Sequence, residues 1–229
     1  MDLLLNKEFM QEFLSPIWLS IKIATISGVI VILLGTLIGH VFARKTFKGK
    51  AVLETILMLP MVLPPTVVGF FLIVIFGKNS IVGQVIEWLF KQPIIFTWWA
   101  AVIAAIVVAF PLMYQSSKSG FQAINTDIED AARIDGASEW RIFLFISIPL
   151  ASKALISGSI LSFARALGEF GATLMFAGNI PGETQTIPTA IYIAIDSGNM
   201  KMAWMWVISM VIISFFMLLV VRIKNENSK

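Results

Sequence analysis

The 229-residue sequence contains no cysteine and a single histidine, His40. The missing thiols exclude a disulfide scaffold and thiolate metal sites, and without a second histidine a histidine-rich metal site is excluded as well. Charge is also scarce. Asp, Glu, Lys and Arg make up 14% of the chain, where a soluble domain carries about 25%. Hydrophobic residues make up 58%, and the mean hydropathy is +0.87. A soluble globule of this size could not cover so much apolar side chain, and a disordered chain would not carry it. The composition implies an all-α, polytopic membrane helix bundle.

A helix needs about 20 mostly apolar residues to cross the hydrocarbon core. Five segments qualify: Ile17 to Ala43, Ala51 to Phe76, Thr97 to Ser117, Leu155 to Phe176 and Ala203 to Arg222. A break in the second would make six. The first is too long for a signal peptide and follows Asp2, Glu8 and Glu12 rather than a basic region, so it reads as a retained helix. With the N-terminus outside, eleven Lys and Arg residues fall in inner segments and four in outer ones. Lys22 and Arg165 lie within helices. This obeys the positive-inside rule and places the C-terminus and the long 118–153 loop in the cytoplasm. Trp18, Trp98, Trp99 and Trp204 fall near predicted outer helix ends, where either interfacial anchoring or ordinary packing accounts for them. Residues 1–229 read as one transmembrane domain with no internal repeat, ending in a polar tail from Asn225 that is expected to fray.

Three spans carry unusual residues. In the second, Pro60, Pro64 and Pro65 remove helical hydrogen bonds near the middle of the membrane. Backbone freed at that depth must be buried in protein or line a wet cavity, so the segment reads as a broken helix beside a path or as a packed kink. In the fourth, Gly158, Ser162, Arg165, Glu169 and Ala172 form a small, polar stripe opposite Ile160, Phe163, Leu167, Phe170 and Leu174. That pattern predicts one face toward protein or water and one toward lipid. Arg165 and Glu169 are one turn apart and either pair structurally or serve the membrane function. In the first, Ala24, Gly28, Gly35 and Gly39 share a side that permits close helix approach. Lys22 is placed to snorkel at the outer end. His40, at the inner end, reads as an interfacial residue.

The segment Asn125 to Pro149 is too long and too ordered for a simple connector. Thr126 or Asp127 is a candidate cap, Glu129 and Asp130 occupy the first turn, and Gly136 interrupts before a second helical stretch from Ser138 to Ser147. Pro149 is expected to punctuate it before the next span. Such a segment suits either a helix displayed to a cytoplasmic partner or one lying in the membrane interface.

Its spacing resembles the EAA loop of ABC importer permeases: Glu-Ala-Ala, three residues, Gly, nine residues, Ile, one residue, Leu-Pro. Asp130-Ala131-Ala132, Gly136, Ile146 and Ile148-Pro149 occupy those positions, with Asp130 for the usual glutamate and Ile148 for the usual leucine. Ala164 to Thr173 is similar to a stretch shared by molybdate and sulfate permeases, and both Asn179 to Pro188 and Pro60 to Gly69 resemble the molybdate branch. The resemblance implies a type I importer permease of a bacterial or archaeal cell membrane. Two copies would form the pore, two cytoplasmic ATP-binding subunits would dock below, and an external oxyanion-binding protein would deliver molybdate.

The resemblance makes Glu129, Asp130, Ala131, Ala132, Gly136, Ile146 and Pro149 the ATPase-coupling residues. Pro60, Pro64, Pro65, Thr66, Arg165 and Glu169 are candidates for the path or gate. Asn179, Pro181, Gly182, Glu183 and Thr184 are candidates for contact with the binding protein. No nucleotide-binding Gly-x-x-x-x-Gly-Lys-Ser/Thr motif is present, so the chain is expected to be no enzyme and to hold no cofactor, with ATP on the partner subunit. Membrane lipid is its remaining partner, and nucleic acid is not expected to be one. Tungstate, sulfate or thiosulfate are alternative cargoes. An ATPase-independent secondary carrier is the alternative class, and two related halves, which it would be expected to show, are not apparent.

Overall fold

A computed structural model describes residues 2–226, with side chains described over residues 9–219. The long apolar runs all form helix. Among the described residues, four helices are long and apolar enough to cross a membrane, or five if a bent pair counts as one span. The first is α1 (Asp2–Arg44), which extends well beyond the predicted Ile17–Ala43. The bent pair is α2 (Lys50–Val62) and α3 (Pro65–Phe76), which meet at 119°. The amphipathic α4 (Ile81–Phe90) follows, then α5 (Trp98–Gln122).

The segment after α5 folds as α6 (Thr126–Ile134) and α7 (Glu139–Ile142), then a π-helical turn over Phe143–Ser147 that leads into α8 (Ile148–Leu167). After a break come α9 (Gly171–Ala177), α10 (Ile187–Asp196) and α11 (Met200–Glu226). The tail expected to fray from Asn225 is helical through Glu226, and Asn227 to Lys229 lie outside the described residues.

The centre is α5, whose alanines Ala100, Ala101, Ala104, Ala105 and Ala109 are buried. Small residues bring α1 and α8 against it. A Cβ at Gly39 would lie 2.6 Å from the Ser117 Cβ, and one at Gly158 would lie 2.6 Å from the Ser116 Cβ. Gly35 meets Met113 and Gly28 meets Phe163, so the glycine side of α1 is a packing face as predicted. A second cluster joins Phe13 and Ile17 of α1 to Ile187 of α10 and Trp206 of α11. There Trp206 Nε1 donates to the Phe13 carbonyl at 3.0 Å.

Several expectations need correcting. The fourth span is not one helix from Leu155 to Phe176. It runs unbroken from Glu139 to Leu167 and stops at Gly168. Pro149 does not punctuate it, because the π turn places Ile148 N–H on the Phe143 carbonyl and absorbs the proline's missing donor. Leu167, expected on a lipid face, is buried. Asn125 caps α6 through Oδ1, which accepts from Asp127 N–H at 3.1 Å; neither Thr126 nor Asp127 takes that role. His40, near the end of α1, packs between the rings of Phe121 and Phe143, with centroids 4.9 and 4.6 Å away. Lys22 Nζ lies 3.7 Å over the ring of Trp98, the first residue of α5.

Candidate functional site

The two breaks meet. A Cβ on Gly171, at the start of α9, would lie 2.9 Å from the Pro65 Cβ; one on Gly69 of α3 would lie 2.7 Å from the Met175 Cβ and 3.1 Å from the Ala172 Cα. The second and fourth apolar runs therefore cross where each is interrupted, and only glycine lets the backbones come so close. Pro64, Pro65 and Thr66 are exposed at this crossing and Pro60 is half-buried below it. The prolines read as a broken helix, not as a kink inside one.

Arg165 and Glu169 span the second break. Arg165 Nη1 lies 2.6 Å from Glu169 Oε2, an ion pair whose angles fall short of a hydrogen bond. Glu169 is buried, and its Oε1 accepts from Ala172 N–H at 2.7 Å, capping the short α9. Arg165 keeps about a third of its side chain exposed. The pair holds α8 to α9 around Gly168, so Glu169 is committed to structure while Arg165 faces the open side.

The segment from α6 to the π turn is tied together by ion pairs and holds two kinds of acid. Glu129, on the first turn of α6, is 2% exposed. It accepts from Arg44 Nη2 at 2.8 Å and from Ser147 Oγ at 2.7 Å. It therefore ties the end of α1 and the π turn to α6 and is not offered to a partner. Asp130 points outward and pairs with Arg133. Arg133 also grips Glu139 with two hydrogen bonds, Nε to Oε1 at 2.6 Å and Nη2 to Oε2 at 3.0 Å, stapling α6 to α7. Glu139 and Asp130 raise the guanidinium's already high pKa further.

Gly136 has φ of 83°. Its N–H bonds the Arg133 carbonyl and the Ala137 N–H bonds the Ala132 carbonyl, both at 3.0 Å, so it closes α6 in a Schellman motif. Around this corner Ala131, Ile128, Ile134, Trp140, Phe145 and Pro149 are exposed, while Ala132 and Ile146 are half-buried. An apolar, charge-rimmed knob on stapled helices can enter a groove on another protein.

At the opposite end, Pro181, Gly182 and Glu183 are exposed and Asn179 is half-buried. Thr184 is fully buried, its Oγ1 accepting from Ile180 N–H at 2.9 Å, so it builds the turn and offers no contact surface. The chain beyond the turn packs inward, and Ile187 N–H bonds Ser20 Oγ at 2.8 Å. Gly182 and Glu183 border a cavity of about 440 Å3 with Lys22, Trp18 and Trp98. The helix that follows this turn, α10, was not legible in the sequence because its apolar run is too short to stand out. No group of His, Asp or Glu suited to a metal ion occurs among the described residues.

Crossed, interrupted spans beside a stapled, exposed knob make this a multi-pass helical membrane protein with a surface able to dock a separate subunit. The chain belongs to the family described as binding-protein-dependent transport system inner membrane component, matched over residues 21–226. It is 63% identical over 216 residues to YvgM of Bacillus subtilis (strain 168), whose name gives molybdenum transport permease as a provisional assignment; 94% of this chain and 95% of that one are covered. It is 42% identical over 179 residues to the molybdenum transport system permease protein ModB of Escherichia coli (strain K12), covering 78% of each. The sulfate transport system permease protein CysW of Synechococcus elongatus is 35% identical over 173 residues, which cover 74% of this chain and 60% of that one.

Solved structures share the fold. The inward-facing MetNI methionine ABC transporter matches with a TM-score of 0.73 at 15% identity over 97% of this chain and 98% of that one. A bacterial importer of the polysaccharide alginate matches with a TM-score of 0.72 at 15% identity over 95% and 79%. The chain is thus an inner-membrane permease subunit of an ABC importer, working with an ATPase subunit and a binding protein, and ATP is bound and hydrolysed on the ATPase. Family membership removes the secondary-carrier alternative.

Proposed function

We propose that this permease moves molybdate into the cell, as a single transmembrane domain spanning residues 1–229. The observation that carries this reading is the pair of relatives, at 63% and 42% identity, whose names assign them to molybdenum transport. Two copies form the pore, each docked on its own ATPase subunit through the knob at Asp130, Ala131, Ala132 and Gly136, with Ile146 and Pro149 at its base. Glu129 transmits the motion inward to α1 and α8. The N-terminus lies outside and the C-terminus in the cytoplasm, which puts Pro181, Gly182 and Glu183 under the delivering protein, with Asn179 beside them.

The exposed crossing at Pro64, Pro65 and Thr66, with Pro60 and Arg165 beside it, forms the gate. Two broken spans in contact support this, because neither can straighten without moving the other, and a two-state element of that kind suits alternating access. The sparse fixed charge at the crossing also fits a path that must release its anion.

The experiment is uptake in vesicles holding the permease, its ATPase and its binding protein, with labelled molybdate, tungstate and sulfate in competition. ATP-dependent molybdate uptake that sulfate fails to suppress is expected. Preferred uptake of sulfate would overturn the cargo and favour the reading suggested by the relative CysW.

A further inference from the structure

One side of α2 forms a groove with α5. Glu54, Met58 and Val62 of α2 face Tyr114, Gln115 and Lys118 of α5 across a cavity of about 430 Å3. The groove follows α2 to Val62, the helix's last residue before the break at Leu63 and Pro64. Near its cytoplasmic end stands one charged pair. Lys118 Nζ lies 2.6 Å from Glu54 Oε1, and the Tyr114 hydroxyl donates to the same oxygen at 3.2 Å. Both charged side chains are largely enclosed, at 17% and 24% exposure. Charged groups at the edge of a spanning bundle face protein or water and not hydrocarbon, so this groove, largely apolar beside the break, ends at a polar, water-accessible inner mouth.

We propose that Lys118 is an exit site for the transported oxyanion, with Glu54 as its built-in competitor. The inference rests on the cargo being an oxyanion. An anion leaving the crossing and descending this groove meets an ammonium, a compact point charge that accepts an oxyanion from many directions. An unopposed lysine would retain it. The Glu54 carboxylate, tethered within reach, reclaims Lys118 and returns the anion to the cytoplasm. Apparent affinity at such a site falls by the fraction of time it is free, so Glu54 tunes Lys118 for release. Tyr114 steadies the carboxylate in the reclaimed state.

The test uses the complete complex in vesicles whose ATPase face is outward, with molybdate added on that face while ATP-driven transport is measured. Glu54→Gln is expected to be inhibited at on the order of tenfold lower molybdate than wild type. Glu54→Gln with Lys118→Gln is expected to return to wild-type tolerance or beyond, and Lys118→Arg is expected to stay near wild type. Equal inhibition of wild type, Glu54→Gln and the double variant would overturn the site. Equal loss of transport in both single variants without recovery in the double would also overturn it, showing a plain structural tie. ATPase co-purification reads assembly; if Glu54→Gln does not assemble, Glu54→Asp replaces it, with an intermediate shift expected. Wild-type uptake of molybdate against sulfate in the same vesicles reads the cargo separately, and the order of the variants is expected to hold with whichever anion is carried.

Discussion

Adjacent acids at the start of the stapled knob do opposite work. Glu129 is enclosed by Arg44 and Ser147, while Asp130 meets solvent and Arg133. Removing the buried acid strands a cation and a hydroxyl. Glu129→Ala is therefore expected to cost about 3 kcal/mol, read as a lowered Tm of the purified permease, with transport uncoupled from ATP hydrolysis. Asp130→Asn is expected to leave Tm unchanged and to weaken only ATPase association; unchanged Tm in Glu129→Ala would remove its anchoring role. From sequence both acids read as one docking motif. The difference was not legible because it depends on Arg44, 85 positions away, and on a π turn that local spacing does not announce. Gly136 was legible in position but not in cause. Its surroundings are open, so its φ alone demands glycine. Gly136→Asn is expected to retain ATPase docking better than Gly136→Val, because asparagine tolerates the left-handed region and a β-branched residue does not. Equal docking by the two variants would show that the turn is not what the partner reads.

Among the elements, the crossing of α3 and α9 is the part that sequence described only in halves. Three prolines announced one break, and α3 duly begins at Pro65. The other break lies inside the segment read as one span from Leu155 to Phe176, where Gly168 and Gly171 carried no signal of a stop. Helix length and hydropathy survive averaging over neighbours, so the long spans were legible; short helices such as α4, α9 and α10 are not, because their ends depend on what packs against them. The crossing makes a sharp demand at Gly69. An added methyl there meets the Met175 Cβ at 2.7 Å and Ala172 backbone at 3.1 Å. Gly69→Ala is expected to cost about 1–3 kcal/mol and to lower uptake while ATPase co-purification stays normal. Unimpaired transport in Gly69→Ala would mean that the two breaks are free to separate and do not form a joint gate.

For the whole molecule, α2 is the helix that the fold covers least: among the described residues it alone has none buried. Val62 at its upper end is 81% exposed, beside the exposed tip at Pro64. The Glu54–Lys118 pair in the groove on one side of α2 is inconsistent with lipid all round, and a second copy closing over it would complete a path that one chain only half lines. The absence of cysteine makes this testable without background labelling. Val62→Cys in the assembled transporter is expected to give an oxidant-dependent permease dimer on denaturing gels. A monomer under every condition that preserves uptake would place this face against lipid and overturn the proposed pore. The orientation follows from the same background. Glu183→Cys is expected to react with a membrane-impermeant maleimide on intact cells, and Trp140→Cys only after the membrane is opened. The reverse pattern would place the stapled knob outside, where no ATPase could reach it, so the two labels test the charge-based topology and the coupling role together.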